Sequence, residues 1–162
     1  MDHYKTVVMD YLQADRAVFV NTECCIQLDE PVDSGKPAPR CSCDAVAIDL
    51  RHRAVFLCET AFGHKLQPLI KKLSVWTKNW DSIETALRRD CKAPANWRVH
   101  VWLFVPKNSI ERLDGKLEHL RQTIGSKFKV KITALEDVQP WRVFTWKRCE
   151  AAWETAGRKI VI

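Results

Sequence analysis

Apolar positions recur along this chain with two different periods, and the switches between them mark its elements. Tyr4, Val7, Val8, Tyr11 and Leu12 fall at i, i+3, i+4, i+7 and i+8, the single stripe of an amphipathic helix. Ala17 to Ile26 is β-branched and apolar and predicts a strand. Asp29 to Arg40 carries Pro31, Asp33, Ser34, Gly35, Pro37 and Pro39 and predicts a long exposed loop. Cys43–Asp49 and Ala54–Thr60 then form two β runs joined by the polar turn Arg51-His52-Arg53, which is a hairpin pattern.

Helical spacing returns near Lys65. Leu66, Leu69, Ile70, Leu73 and Trp76 form a buried stripe, with Pro68 accommodated in the first turn. Asp81-Ser82-Ile83-Glu84 is a capping box that predicts a further helix ending before Pro94. Trp97 to Val105 predicts a fourth strand, and Asn108-Ser109-Ile110-Glu111 a second capping box opening a helix that Gly125 closes. Phe128 to Thr133 predicts a fifth strand, and Trp146 to Thr155 a C-terminal helix. The order α-β-β-β-α-α-β-α-β-α implies an α/β fold, a mixed central sheet flanked by helices. At 162 residues the chain suits one domain spanning 1–162.

Composition narrows the partners. A net charge of +6 is compatible with nucleic acid without requiring it. No apolar stretch is long enough to span a bilayer and no secretory leader is visible, so no membrane partner and a cytoplasmic location are expected. Seven cysteines, an odd number, argue against a disulfide framework. Cys24, Cys25, Cys41 and Cys43 lack the spacing of a structural zinc site, and neighbouring strand residues point to opposite faces.

The candidate chemistry lies on the hairpin. Counting back from the turn, the pairing 45/59, or 44/59 with a shift of one, sets Asp44 close to Glu59 at the open end. Two adjacent carboxylates repel unless a cation lies between them, and Mg2+ or Mn2+ favours oxygen ligands of this kind. The plainer alternative leaves both acids in solvent at strand ends. Glu23 is a candidate third acid and His64 a neighbour, although exposed acids and loop histidines are commonly inert. Of the seven tryptophans, Trp76 and Trp102 fit buried stripes. Trp141-Arg142 and Trp146-Lys147-Arg148 have the aromatic–basic look of a surface that stacks bases.

The run Cys43-Asp44-Ala45-Val46-Ala47-Ile48-Asp49 followed by Val55-Phe56-Leu57-Cys58-Glu59-Thr60-Ala61 resembles the core of the PD-(D/E)xK, or restriction-endonuclease-like, nuclease superfamily. The family's core order is α-β-β-β-α-β, which Tyr4 to Val105 can match, leaving residues after about 107 as a C-terminal extension. The resemblance implies a metal-dependent nuclease hydrolysing phosphodiesters of DNA. Asp44, Glu59 and the carbonyl of Thr60 would hold Mg2+ or Mn2+. The family's lysine two residues beyond the second acid is here Ala61. Some members supply it from the next helix, where Lys71 is the first choice, with Gln67 one turn away, and Lys65 the second. Arg51, Arg53, Lys72, Arg142 and Lys147 are the expected contacts to nucleic acid, DNA ahead of RNA, and a homodimer is compatible with the family. The missing lysine also keeps open a catalytically inactive domain that binds nucleic acid or protein.

Overall fold

A computed structural model describes residues 3–28, 39–63, 66–125 and 127–138. Helix α1 (His3–Gln13) leads into strands β1 (Val18–Gln27), β2 (Arg40–Asp49) and β3 (Ala54–Thr60). Helices α2 (Gln67–Lys78) and α3 (Trp80–Cys91) follow, then β4 (Arg98–Val105), α4 (Ile110–Ile124) and β5 (Val130–Ala134). The strands form one mixed sheet in the order β1-β2-β3-β4-β5. The first three are antiparallel, and β3, β4 and β5 run parallel. The molecule is α/β, as the element order implied.

Each sheet face buries its own apolar cluster. On one face Leu57, Val101, Leu103 and Ile132 meet Leu69, Leu73 and Trp76 of α2, Trp80 and Ile83 of α3, and Leu113 and Leu117 of α4. On the other, Ala47, Phe56, Trp102 and Phe104 meet Val7, Val8 and Leu12 of α1. The sequence-predicted extension after residue 107 is therefore built into the main core. Trp76 and Trp102 are buried, and the Trp102 indole N–H donates to Thr133 Oγ1 at 2.9 Å. Of the four zinc candidates, Cys24, Cys41 and Cys43 pack on the face covered by α2, the first partly buried and the others buried, while Cys25 is exposed. The C-terminal helix, Trp141 and Trp146 lie outside the described residues.

Two boundaries differ from the sequence expectation. α3 starts at Trp80 with Asn79 as its cap, so Asp81 stands inside the first turn and caps nothing. Trp76 and Trp80 are both buried in the same cluster, and that packing carries helical structure up to the single joining residue. Before α4, Lys107–Ser109 forms a 3-10 turn, and the Ser109 hydroxyl bonds Asn108 rather than a helix amide.

The pleat reverses once along β1 and β2. Val18 and Val20 pack with the α1 face, whereas Cys24 and Ile26 pack with the α2 face. On β2, Ala45 and Ala47 belong to the α1 face and Cys41 and Cys43 to the other. Strict alternation would keep each set on one side. The break falls at Glu23, which has φ +53°, and at the opposite residue, Asp44.

Candidate metal centre at the end of the hairpin

The hairpin register pairs Asp49 with Ala54, Ala47 with Phe56 and Ala45 with Cys58, so Asp44 and Glu59 come next. The 45/59 pairing counted from the turn is off by one, and the shifted 44/59 alignment holds. At the far end, the Asp49 carboxylate accepts from the His52 amide (3.0 Å) and holds its ring Nδ1 at 2.8 Å, fixing the turn.

At the pleat reversal the Asp44 carboxylate turns toward α1 and the end of β3. Oδ2 accepts the Thr60 amide at 2.7 Å, and Oδ1 accepts Lys5 Nζ of α1 at 2.6 Å. Glu59 reaches the opposite layer, where Oε1 accepts Lys72 Nζ of α2 at 2.6 Å. Lys72 also stands 5.8 Å above the Trp76 ring, so its stem lies along a buried indole. Glu59 Oε2 and the Thr60 hydroxyl are buried with no hydrogen-bond partner among the described residues. Burial raises the Glu59 pKa above its ordinary 4.5, and the Asp44 charge raises it further. The Lys72 hydrogen bond opposes both. A carboxylate at this position thus keeps one oxygen neutralised and one orphaned, at a desolvation cost that a bound cation would recover.

The sequence expectations divide cleanly. Asp44, Glu59 and Thr60 share the open end of the hairpin, but the two carboxylates turn to opposite layers, Asp44 to Lys5 of α1 and Glu59 to Lys72 of α2. Lys71, the first choice for the substitute lysine, is exposed, as is Gln67. The lysine that meets Glu59 is Lys72, ranked behind Lys71 and Lys65 and expected as a contact to nucleic acid. Lys72 is three residues from Leu69 and four from Trp76, on the border of the buried stripe, while Lys71 lies further round the helix. Lys5 was missed, although it follows Tyr4 on the first predicted helix and its polar place beside an apolar stripe was visible. Arg51 grips the buried carboxylate of Asp15 through two bonds of 3.0 and 3.1 Å, and Arg53 is exposed with φ +52°. Both lie at the closed end of the hairpin, about 20 Å of strand from Glu59. They cannot hold a phosphate at the acids. Glu23 is exposed and adds no third carboxylate to the site. His64, Lys65, Arg142 and Lys147 lie outside the described residues.

Among the described residues, no three His, Cys, Asp or Glu side chains gather as a metal-holding group. A cation here would rely on the two acids and on backbone oxygen or water. No family model matches the chain, and neither curated proteins nor solved structures gave a match. No helix among the described residues is long and apolar enough to cross a membrane.

Proposed function

We propose that this protein is a metal-dependent phosphodiesterase of the restriction-endonuclease-like type, acting on DNA, with Lys72 standing in for the motif lysine. The observation that carries the reading is the arrangement at Glu59: one oxygen 2.6 Å from Lys72 Nζ, the other buried without a partner. The strand order β1-β2-β3-β4-β5, with α1 before the hairpin and the two helices α2 and α3 between β3 and β4, supports it.

The orphaned Glu59 Oε2 suits a hard divalent ion such as Mg2+ or Mn2+, and the Asp44 carboxylate, held by Lys5 in the α1 layer, would have to turn across the strand end to share it. Such an ion supplies Lewis acidity and lowers the pKa of bound water. The chain's own residues do the rest. Glu59 and Asp44 hold negative charge at the strand end. The Thr60 amide fixes the Asp44 carboxylate. Lys72 is a cation held in place beside Glu59 by that carboxylate and Trp76, where it would orient a water or a phosphate oxygen. Lys5 must leave Asp44 Oδ1 for that oxygen to become a ligand; at 39% side-chain exposure it has solvent to move into.

A second reading has its own observation. Lys5 and Lys72 already neutralise both acids, which is how a silent site would hold its charges without metal. Calorimetric titration with Mn2+ separates the two, run beside cleavage of single-stranded and duplex DNA. The catalytic reading expects Mn2+ binding and cleavage in the native protein, and loss of both in Glu59→Gln. A folded protein that takes up no Mn2+ would establish the silent domain instead.

A further inference from the structure

A second feature lies at the opposite end of the sheet. Arg98, the first residue of β4, is level with Ala54, whereas Glu59 is level with Leu103. Five residues of strand, about 17 Å, separate the two ends. There a cavity of about 550 Å³ opens between the end of α3, the segment leading into β4 and the segment leading into β5. Its size is in the range of small-ligand sites.

The charge lining it is one-sided. Arg88, Arg98, Lys127 and Lys129 contribute four cations, and Glu84 is the only acid. Glu84 is already taken by Arg88. Lys127 reaches only the outermost edge of Asp81, a largely exposed carboxylate at 3.9 Å. Arg98 and Lys129 have no carboxylate partner among the described residues, and both are exposed. Their charges fall on His100, whose pKa is lowered first by burial and then by Lys129 and Arg98. Two cations with no carboxylate bonded to them thus face the same spot, a local excess of positive charge that attracts an anion.

The walls are fixed. Arg88 donates to the carbonyls of Pro94 (2.8 Å) and Trp97 (2.9 Å), and the Trp97 amide closes onto Pro94 at 2.9 Å. Trp97 is half-buried, so one side of its indole is supported and the cavity receives an aromatic wall. The Lys129 amide donates to His100 Nδ1 at 3.2 Å, so the neutral imidazole carries its hydrogen on Nε2 as a donor. Phe128, also lining the cavity, is locked against Trp80 with ring centres 3.9 Å apart.

We propose that this cavity is a nucleotide-binding site, in which Arg98 and Lys129 hold the phosphate and Trp97 stacks on the base. Guanidinium and ammonium groups suit phosphate oxygens, and an indole face accepts any base. The nucleotide is either free or one residue of a strand. The full chain is titrated calorimetrically, in chelator and low salt, with adenosine 5′-monophosphate, with inorganic phosphate and with a short oligodeoxythymidylate. The expected result is that a nucleotide-bearing probe binds more tightly than inorganic phosphate. Mononucleotide binding identifies a free nucleotide, and binding of the oligonucleotide alone identifies a strand; either supports the site. R98Q together with K129Q should weaken binding about tenfold or more. W97A should weaken the nucleotide but not inorganic phosphate. Near-UV circular dichroism confirms that these variants remain folded. Glu59→Gln should bind as the native protein does, which separates this site from the acids. Equal affinity for nucleotide and inorganic phosphate, or unchanged affinity in the double variant, overturns the proposal.

Discussion

Glu59 keeps one carboxylate oxygen on Lys72 and buries the other without a partner, and this asymmetry has consequences for pH. Its pKa in the folded protein is raised above 4.5, chiefly by burial. The native state therefore holds that proton more tightly than the unfolded chain does. The stability this contributes is full below about pH 4.5 and is lost as pH rises through the raised value. Removing Lys72 takes away the cation that opposes the shift. Lys72→Ala should then cost about 3 kcal/mol at neutral pH, where a buried carboxylate is left uncompensated. Below about pH 4.5, where Glu59 is protonated in both states, the cost should shrink to that of lost contact with Trp76. Urea denaturation at the two pH values measures this; an equal cost at both would sink it. Lys71→Ala, one residue away but exposed, should change stability by no more than about 0.5 kcal/mol at either pH.

At the scale of elements, the reversal in β1 and β2 is what turns Asp44 toward Thr60. Glu23 supports it with φ +53°, a conformation costing a residue with a Cβ about 1 kcal/mol or more. Glycine inside a regular strand costs about 0.5–1 kcal/mol. At this position the sign should invert: Glu23→Gly should raise the stability by about 1 kcal/mol, read as a higher urea midpoint with unchanged slope. A lowered midpoint would mean that the Glu23 side chain, not the backbone, maintains the turn. The hairpin itself was legible in the sequence, because the polar turn at 51–53 and apolar runs on both sides fix its centre. The reversal was not, because Ala45, Val46 and Ala47 are apolar on both faces and alternation carries no phase there. The same limit applies to α2. Both Lys71 and Lys72 read as polar, and only the observed start at Gln67, with the orientation set by Leu69, Leu73 and Trp76, decides which one meets Glu59. Lys5 needs the packing of α1 beneath β2 and β3, a long-range relation that local periodicity does not contain.

At the scale of the molecule, the described residues form one sheet with a separate core on each face. Val8 of α1 is fully buried on one face and Ile83 of α3 on the other. Stacked layers stand about 10 Å from a sheet, so the two side chains share no neighbour across it. Truncating either leaves a small cavity that its own layer must absorb. Ile83→Val should cost about 1 kcal/mol, and Val8→Ala, which also loses buried methyl groups, about 2 kcal/mol. With no common partner the costs should add, and the double variant should lose about 3 kcal/mol, within about 0.5 kcal/mol of that sum. Single-step urea transitions with a common slope would also show that the two faces unfold together. A double variant that loses clearly more than the sum would mean that the sheet transmits strain from α1 to α3. Asp44 and Glu59 sit where such strain would arrive, since Lys5 comes from the α1 layer and Lys72 from the α2 layer. Additivity would mean that each lysine is positioned by its own core, and that the geometry of the acid pair tolerates loosening on one side at a time.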